Sequence, residues 1–387
     1  MNAADRQGAG FGLYLHWPYC QAKCPYCDFN SHVAAEIDQN RWKRAYLDEI
    51  RRAGCETPGQ TLNSVFFGGG TPSLMSPDLV AAVIDKIRRT WPVANDLEIT
   101  LEANPTSVES HKFNGFRDAG VSRISMGIQA LNDTDLKRLG RLHTVAEAMT
   151  AFDIARNAFD RVSFDLIYAR QHQTLAEWRA ELTRALSLAV DHLSLYQLTI
   201  EDGTAFGDRH HLGRLPGLPS DDLGADMYDL TQDLCEAAGL PAYEVSNHAA
   251  DMAQSRHNLI YWRCGDYIGI GPGAHGRLTL QQQRYATETE KRPDYWLDQV
   301  EQGQGGSTLR SALSPEEQAQ EYLMMSLRLA EGTDLNRLGE IGGPMPDPNT
   351  LNRLESDGFL ERIGSRLRTT KTGRPLLNAL LRELLTE

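Results

Sequence analysis

No apolar run in this sequence approaches the roughly 18 residues that a membrane-spanning helix needs, so an integral membrane protein is excluded as an expectation. Positive charge is also in short supply. Lys and Arg number 39 against 52 Asp and Glu, a net charge of −13. That balance excludes a general nucleic-acid binder, because neutralising phosphates needs a basic face. The first ten residues, MNAADRQGAG, have neither the apolar core of a secretory signal nor an Arg-rich amphipathic pattern, so no targeting peptide is expected. Internal repeats and low-complexity tracts are absent. Cysteine is sparse, six in 387 residues, and three of the six are bunched, which points to a reducing compartment instead of a disulfide framework. The expectation is a cytoplasmic protein. With 41% hydrophobic residues over this length it can bury a large core, as two domains or as one large barrel with an appendage.

What the sequence does have is concentrated in residues 13–30, LYLHWPYCQAKCPYCDFN. An apolar strand-like run ends at Pro18, and Cys20, Cys24 and Cys27 follow at the spacing C-x3-C-x2-C. The spacing suits neither a helix face nor a disulfide framework. Three thiolates from one loop can hold three irons of a 4Fe–4S cubane and leave the fourth open to a small chelating molecule. Two other assignments stand beside it: a zinc site completed by His16 or His32, and three unrelated buried cysteines. Cys55, Cys235 and Cys264 stand alone and are expected to be packing residues.

Periodicity organises the remainder. Helices are expected over residues 34–53, 78–91, Val145–Ala158, Leu175–Leu188 and 221–238. They alternate with strands at residues 64–70, 97–105, Arg123–Gln129, Arg161–Tyr168 and 192–200. Six strands alternating with helices imply parallel βα units, wound as an open sheet or a barrel. Gly68–Gly70, Glu102, Gln129 and Asp165 lie toward the carboxyl ends of these strands, the end that carries ligands in either architecture. Residues 242–280 are rich in aromatics, His and Gly and suggest strands and loops closing the open side of a barrel. Residues 301–307, EQGQGGS, read as a linker. Beyond it Ser314, Pro315 and Glu317 form a capping-box signature, followed by helix, turn, helix, hairpin and helix, a winged-helix-like pattern.

The run YCxxKCPYCDFNSH, residues 19–32, resembles the cluster loop of the radical S-adenosylmethionine (SAM) family, and in particular its haem-chaperone branch, relatives of the oxygen-independent coproporphyrinogen III oxidases. The resemblance spans nearly the whole chain. It implies an α/β fold with a partial (β/α)6 TIM-type barrel and a small C-terminal winged-helix-like domain. The implied division is 1–240 for the barrel with its cluster loop, 241–306 for a barrel-closing segment, and 307–387 for the C-terminal domain. It also implies a 4Fe–4S cluster on Cys20, Cys24 and Cys27, with SAM held by Tyr14, Tyr26, Gly69, Gly70, Thr71, Glu102, Gln129, Arg141 and Asp165. The chemistry implied is electron transfer from the cluster into the sulfonium, cleaving a carbon–sulfur bond to give methionine and a 5'-deoxyadenosyl radical. Glycines at 68–70 suit close approach of backbone to a ligand, having no Cβ.

Three features place the sequence within that family. Phe29 stands where the coproporphyrinogen oxidases carry a further cysteine, the cluster loop lies near the start of the chain, and residues 257–262, HNLIYW, match the chaperone branch's haem-associated signature. His257 can offer an imidazole nitrogen to haem iron, and Tyr261 and Trp262 flat faces to a macrocycle. The alternative for this segment is a strand with aromatics in the core and His257 bonded to a carbonyl. The expected function is a haem chaperone that binds cluster, SAM and haem and passes haem to acceptors such as respiratory cytochromes; homodimerisation is left open. The rivals are oxidative decarboxylation of coproporphyrinogen and radical chemistry on another substrate. One stretch departs from the family: DLIYARQHQT, residues 165–174, has Ala169 and Arg170 in place of Gly and Leu and lacks a proline beside His172. Arg170 and His172 are candidates for contact with haem.

Overall fold

The computed structural model describes residues 8–385; the N-terminal part of the targeting-peptide expectation lies outside them. The first strand, β1 (Phe11–Trp17), is followed by two short strands that pin the cysteine loop, β2 (Tyr19–Cys20) and β3 (His32–Val33). Five more strands each follow a helix or helical pair: β4 (Leu62–Gly69), β5 (Val93–Ala103), β6 (Arg123–Gln129), β7 (Arg161–Tyr168) and β8 (His192–Gln197). β1, β4, β5, β6, β7 and β8 pair in parallel in that order, the arrangement expected of βα units. They form the α/β partial barrel that the family resemblance implied.

The helices start where capping residues allow. Val145–Ala158, Leu175–Leu188 and Pro315–Ser326 each open with a complete capping box, from Thr144/Glu147, Thr174/Glu177 and Ser314/Glu317. The first long helix is Gln39–Glu56, five residues later than expected, because Asp38 caps it by accepting from the N–H groups of Asn40 and Arg41. Its apolar stripe carries Trp42, Tyr46 and Ile50 into the core. Cys55 is off that stripe and exposed, so it is not a packing residue, whereas Cys235 and Cys264 are buried.

The chain after β8 behaves differently from the expectation. β9 (Asn247–Ala249) adds antiparallel to β8, and β10 (Asp266–Ile270) adds parallel to the far edge of β1. β11 (His275–Leu280), β12 (Gln283–Thr289) and β13 (Ser307–Ala312) then extend that edge as antiparallel neighbours. The segment thus lengthens both edges of what is, among the described residues, an eleven-stranded sheet, with no pairing between β9 and β13 to close it. The Gly-rich stretch 301–307 is a turn into β13, not a linker, because Ser307 onward is paired with β12. The C-terminal unit begins after Leu313. It has helices Pro315–Ser326, Leu335–Ile341, Pro348–Ser356 and Leu377–Leu385 around a small sheet of β14 (Thr333–Asp334), β16 (Arg366–Thr369) and β15 (Leu360–Ile363). Among the described residues no helix is long and apolar enough to cross a membrane.

HNLIYW is helical. Residues Arg256–Trp262 form a single short helix capped by Ser255, which accepts from the Asn258 N–H. The helix sits at the amino-terminal mouth of the barrel. There the Arg256 backbone N–H donates to Glu98 (2.9 Å), which lies level with Ser64 and Gly12 near the starts of β4 and β1, and Ile260 packs over Gly10 and Gly12.

The helix layer outside the sheet supplies most of the packing. Trp17, Trp42, Tyr46 and Trp296 interlock, with Trp42 and Trp296 stacked at 5.5 Å and 9°. This cluster joins the helix Gln39–Glu56 to Pro293–Glu301 and so to the strands beyond β10. Trp42→Ala is expected to cost about 3–5 kcal/mol, measured by urea unfolding. A loss under about 1 kcal/mol would show that the cluster does not bind the layers together.

Candidate functional site

Alternation along the strands decides what faces the barrel lumen. In β1, Leu13, Leu15 and Trp17 point out to the helices, leaving Tyr14 and His16 inside. By the same alternation Phe66 and Gly68 of β4, Glu102 of β5, Ser125 and Gly127 of β6, and Asp165 of β7 face inward. The lumen is therefore polar where a filled barrel would be packed with branched aliphatics.

The cysteine loop crosses the carboxyl-terminal mouth. It is tied down by two backbone hydrogen bonds from the glycine turn, Gly70 N–H to the Trp17 carbonyl (2.7 Å) and Thr71 N–H to the Tyr19 carbonyl (2.8 Å). A Cβ at Gly70 would meet the Tyr19 carbonyl oxygen at 2.7 Å, and one at Gly69, with φ +108°, would meet the His16 ring at 2.6 Å. Both glycines are required for the turn to seat against the loop.

Two of the three sulfurs accept side-chain hydrogen bonds from other strands' loops. Thr71 Oγ1 donates to Cys20 Sγ (3.4 Å), and Arg141 Nη1 donates to Cys24 Sγ (3.3 Å). The Phe29 backbone N–H points at Cys27 Sγ, so the position that holds a further cysteine in the oxidases here contributes a backbone donor. Burial pushes the Cys20 and Cys27 thiols up.

His16 cannot complete a zinc site. Its Nδ1 bonds the Tyr14 hydroxyl (3.1 Å) and its Nε2 the Asn30 carbonyl (2.8 Å). His32 bonds Asn30 Oδ1 (3.2 Å). Among the described residues no three His, Cys, Asp or Glu side chains are grouped to hold a single metal ion. One tetrahedral zinc would need its sulfurs about 4 Å apart. A cubane spaces its cysteine ligands more widely than one ion does.

Two buried carboxyl groups, Glu102 and Asp165, face each other in the lumen. Neither Glu102 nor Asp165 has an ion-pair partner among the described residues. Glu102 is pushed up to about 8 by burial and by the negative charge of Asp165, opposed by the Gly69 N–H. Burial pushes Asp165 up to about 6 against the pull of Ser194, Arg123 and Arg141. A pair of this kind suits a ligand bearing positive charge and hydroxyls, which matches the sulfonium, ammonium and ribose of SAM. Arg141 also donates to the Gly127 carbonyl (2.8 Å), and its buried Nε has no partner.

Gln129 ends β6 at φ +74°, after a register shift between Met126 and Gln129, and its amide folds back over Gly127. That irregularity turns the side chain toward Arg141. Tyr26 lies between the last two cysteines and packs on Phe206, whose N–H donates to the Pro25 carbonyl (2.8 Å). Burial raises the Tyr26 and Tyr14 phenols. The structure thus gathers Tyr14, Tyr26, the glycine turn, Thr71, Glu102, Gln129, Arg141 and Asp165 around the cysteine loop. Asn104, which sequence reasoning passed over, joins them through Thr71 and Arg141.

His257 comes from the opposite mouth. Its ring stacks on Phe66 (4.1 Å, 19°) and lies against Tyr14 (5.9 Å) and Tyr261 (4.4 Å). Burial and the Arg123 charge hold it down to about 3, so it is neutral, and neither ring nitrogen has a hydrogen-bond partner among the described residues. It is neither on a strand nor bonded to a carbonyl. Tyr261 shares its helix face at i+4, but Trp262 does not: it points to the C-terminal unit, under Arg328.

The atypical loop after β7 keeps the shape a glycine would give. Ala169 takes φ +56° and His172 φ +62°. Arg170 is buried, paired with Asp135 (2.9 Å) and Glu181 and donating to the Ile167 carbonyl. Its guanidinium is therefore consumed and cannot reach haem. His172 is exposed and lies over Gly217, away from His257.

Comparison with known proteins agrees with this geometry. Residues 14–184 match the Radical SAM superfamily, and residues 313–376 the HemN C-terminal domain. The chain is 37% identical to the heme chaperone HemW of Escherichia coli (strain K12), across 97% of this chain and 98% of that one. It is also 37% identical to the mitochondrial radical S-adenosyl methionine domain-containing protein 1 of Bos taurus, across 97% of this chain and 87% of that one. Its fold resembles coproporphyrinogen III oxidase (HemN) from Escherichia coli, with a TM-score of 0.82 over 100% of this chain and 94% of that one. At 20% identity this likeness speaks for the fold alone.

Two outcomes are expected. Arg170→Leu, which restores the apolar residue of the family, should destabilise by about 3 kcal/mol in urea because it leaves buried Glu181 with no salt-bridge partner among the described residues and takes one of two from Asp135. A neutral result would contradict the pairing. Glu102, with a folded pKa of about 8 against an ordinary 4.5, holds its proton more tightly folded than unfolded. Its stabilising contribution is complete below about pH 4.5 and lost as the pH rises to about 8. The cofactor-free protein should therefore lose unfolding free energy between pH 5 and 8, and Glu102→Gln should flatten the slope; an unchanged slope would contradict it.

Proposed function

The chain belongs to the HemW group of the radical SAM superfamily, and from that premise we propose that it is a haem chaperone that binds a 4Fe–4S cluster, SAM and haem and hands haem to acceptor haemoproteins such as respiratory cytochromes. The observation that carries this is the near-full-length likeness to proteins named as heme chaperones. Phe29, in the place of a further cysteine, supports it over coproporphyrinogen oxidation. Cytoplasmic location belongs to the same proposal.

In this proposal Cys20, Cys24 and Cys27 hold three irons of the cluster. When bound, the cluster supplies an electron and an open iron position to SAM. Thr71, Arg141 and the Phe29 N–H neutralise part of the charge on the thiolates. The backbone of Gly69 and Gly70 receives the SAM ammonium, while Glu102 and Asp165 meet its positive charge and hydroxyls. Gln129 and Arg141 orient the ligand, and Tyr14 and Tyr26 border it and exclude water. His257, neutral and unpartnered, is the haem ligand we favour, with Tyr261 beside it. Its place on the lumen floor requires haem to approach from the amino-terminal mouth, past the helix Arg256–Trp262. The domain division is taken as the barrel sheet through β13 and the C-terminal unit after it.

Haem titration followed by Soret absorption tests the proposal. The reconstituted protein is expected to saturate at about one haem per chain, with affinity falling roughly tenfold or more in His257→Ala. Coproporphyrinogen III incubated with it under reducing conditions should be recovered unchanged. Conversion to protoporphyrinogen IX would establish the oxidase instead, and absent haem binding with SAM cleavage would leave radical chemistry on another substrate.

A further inference from the structure

Asn104 has no role in the site as proposed above, yet it lies at the centre of its hydrogen bonding. It follows Glu102 by two residues, just past the end of β5. Its Nδ2 donates to Thr71 Oγ1 (3.1 Å), and its Oδ1 accepts from Arg141 Nη2 (2.6 Å). Thr71 in turn donates to Cys20 Sγ, and Arg141 to Cys24 Sγ. A single unbroken path therefore runs from one sulfur to the other: Cys20, Thr71, Asn104, Arg141, Cys24.

The direction of every bond along it is fixed. A guanidinium has donors only, so the amide oxygen must face Arg141 and the amide NH2 must face Thr71. The Thr71 oxygen, already accepting from Asn104, then has its one proton free for Cys20. If the amide were turned round, Arg141 would face an NH2 group and the Thr71 hydroxyl would spend its proton on Asn104 instead of on the sulfur. The amide is also held from behind. Its backbone N–H donates to Glu109 Oε2 (3.0 Å), a buried carboxylate that also accepts from Ser73, and Pro105 restricts the backbone at Asn104 to extended conformations.

Resting on the cluster assignment proposed above, we infer that Asn104 is a positioning residue that orients both hydrogen bonds to the cluster sulfurs and thereby sets the cluster's reduction potential. Hydrogen bonds to the sulfurs stabilise the reduced, more negative cluster and raise its potential. Asn104 makes no hydrogen bond to the thiolates; it acts through Thr71 and Arg141. A residue that merely packed at this place would affect stability and leave the potential alone.

The test is a potentiometric titration, read by electron paramagnetic resonance, of anaerobically reconstituted full-length protein: wild type, Thr71→Val, Asn104→Ala and the double variant. Iron and sulfide content of the wild type is measured first. A wild type without sulfide removes the cluster assignment and this inference with it, whereas a wild type with a cluster isolates the role of Asn104. Asn104→Ala is then expected to shift the potential negative by at least as much as Thr71→Val. The double variant should shift by less than the sum, because the two substitutions break one path. A wild-type potential in Asn104→Ala, or additive shifts, would overturn the inference. Should Asn104→Ala retain no cluster, Asn104→Asp keeps the side chain's size but has no NH2. The Thr71 proton turns to the new carboxylate, and a larger negative shift is expected; an unchanged potential there overturns the inference equally.

Discussion

The glycine turn's grip on the segment carrying the first cysteine is the contact on which the rest depends. Two backbone hydrogen bonds, from Gly70 and Thr71 to the carbonyls of Trp17 and Tyr19, join the end of β4 to the chain leaving β1. They tolerate no Cβ at residue 69 or 70, which is why Gly69 ends β4 and Gly70 opens the turn. With the turn seated, the Thr71 hydroxyl meets Cys20, and the loop between β2 and β3 is held at its start. Its other end is fixed by the His32 N–H on the Pro18 carbonyl (2.7 Å), and its middle by Phe206 on Pro25. Three cysteines on a free loop would have no defined spacing; here Cys20 and Cys24 are each anchored from a different element, and Cys27 from within the loop by the Phe29 N–H.

Behind that loop the barrel is built against its own stability. Glu102 and Asp165 lie together in the lumen with no salt-bridge partner among the described residues, and Gln129, Ala169 and His172 take left-handed backbone conformations at the same mouth. Such strain persists only where the surrounding structure over-determines it. The compensation lies outside the sheet, in the interlocked Trp17, Trp42, Tyr46 and Trp296 and in Trp178 stacked on Tyr168. The arrangement is that of a scaffold with an aromatic packing layer outside the sheet and a polar interior.

Much of this was legible in the residues, and the boundary of legibility has physical reasons. β6, β7 and the helices Val145–Ala158 and Leu175–Leu188 emerged with the expected limits because strong alternation or capping boxes mark them. HNLIYW was harder: a seven-residue helix rich in aromatics has the composition of a strand, and only Ser255 with Asn258 three residues on signalled a cap. Trp262 was paired with Tyr261 by adjacency, although neighbours on a helix face different directions. Asn104 left no pattern at all, since its role comes from two partners 33 and 37 residues away. Arg170 looked available for a ligand because its partners, Asp135 and Glu181, are brought to it only by the fold.

The proposed function depends on one claim, that the three cysteines carry an iron–sulfur cubane with one open corner. The most direct measurement is iron and acid-labile sulfide in anaerobically reconstituted protein, with Mössbauer spectra recorded before and after SAM is added. The account predicts about four irons and four sulfides per chain, and a change confined to one iron when SAM binds. One zinc ion per chain with no sulfide would contradict it.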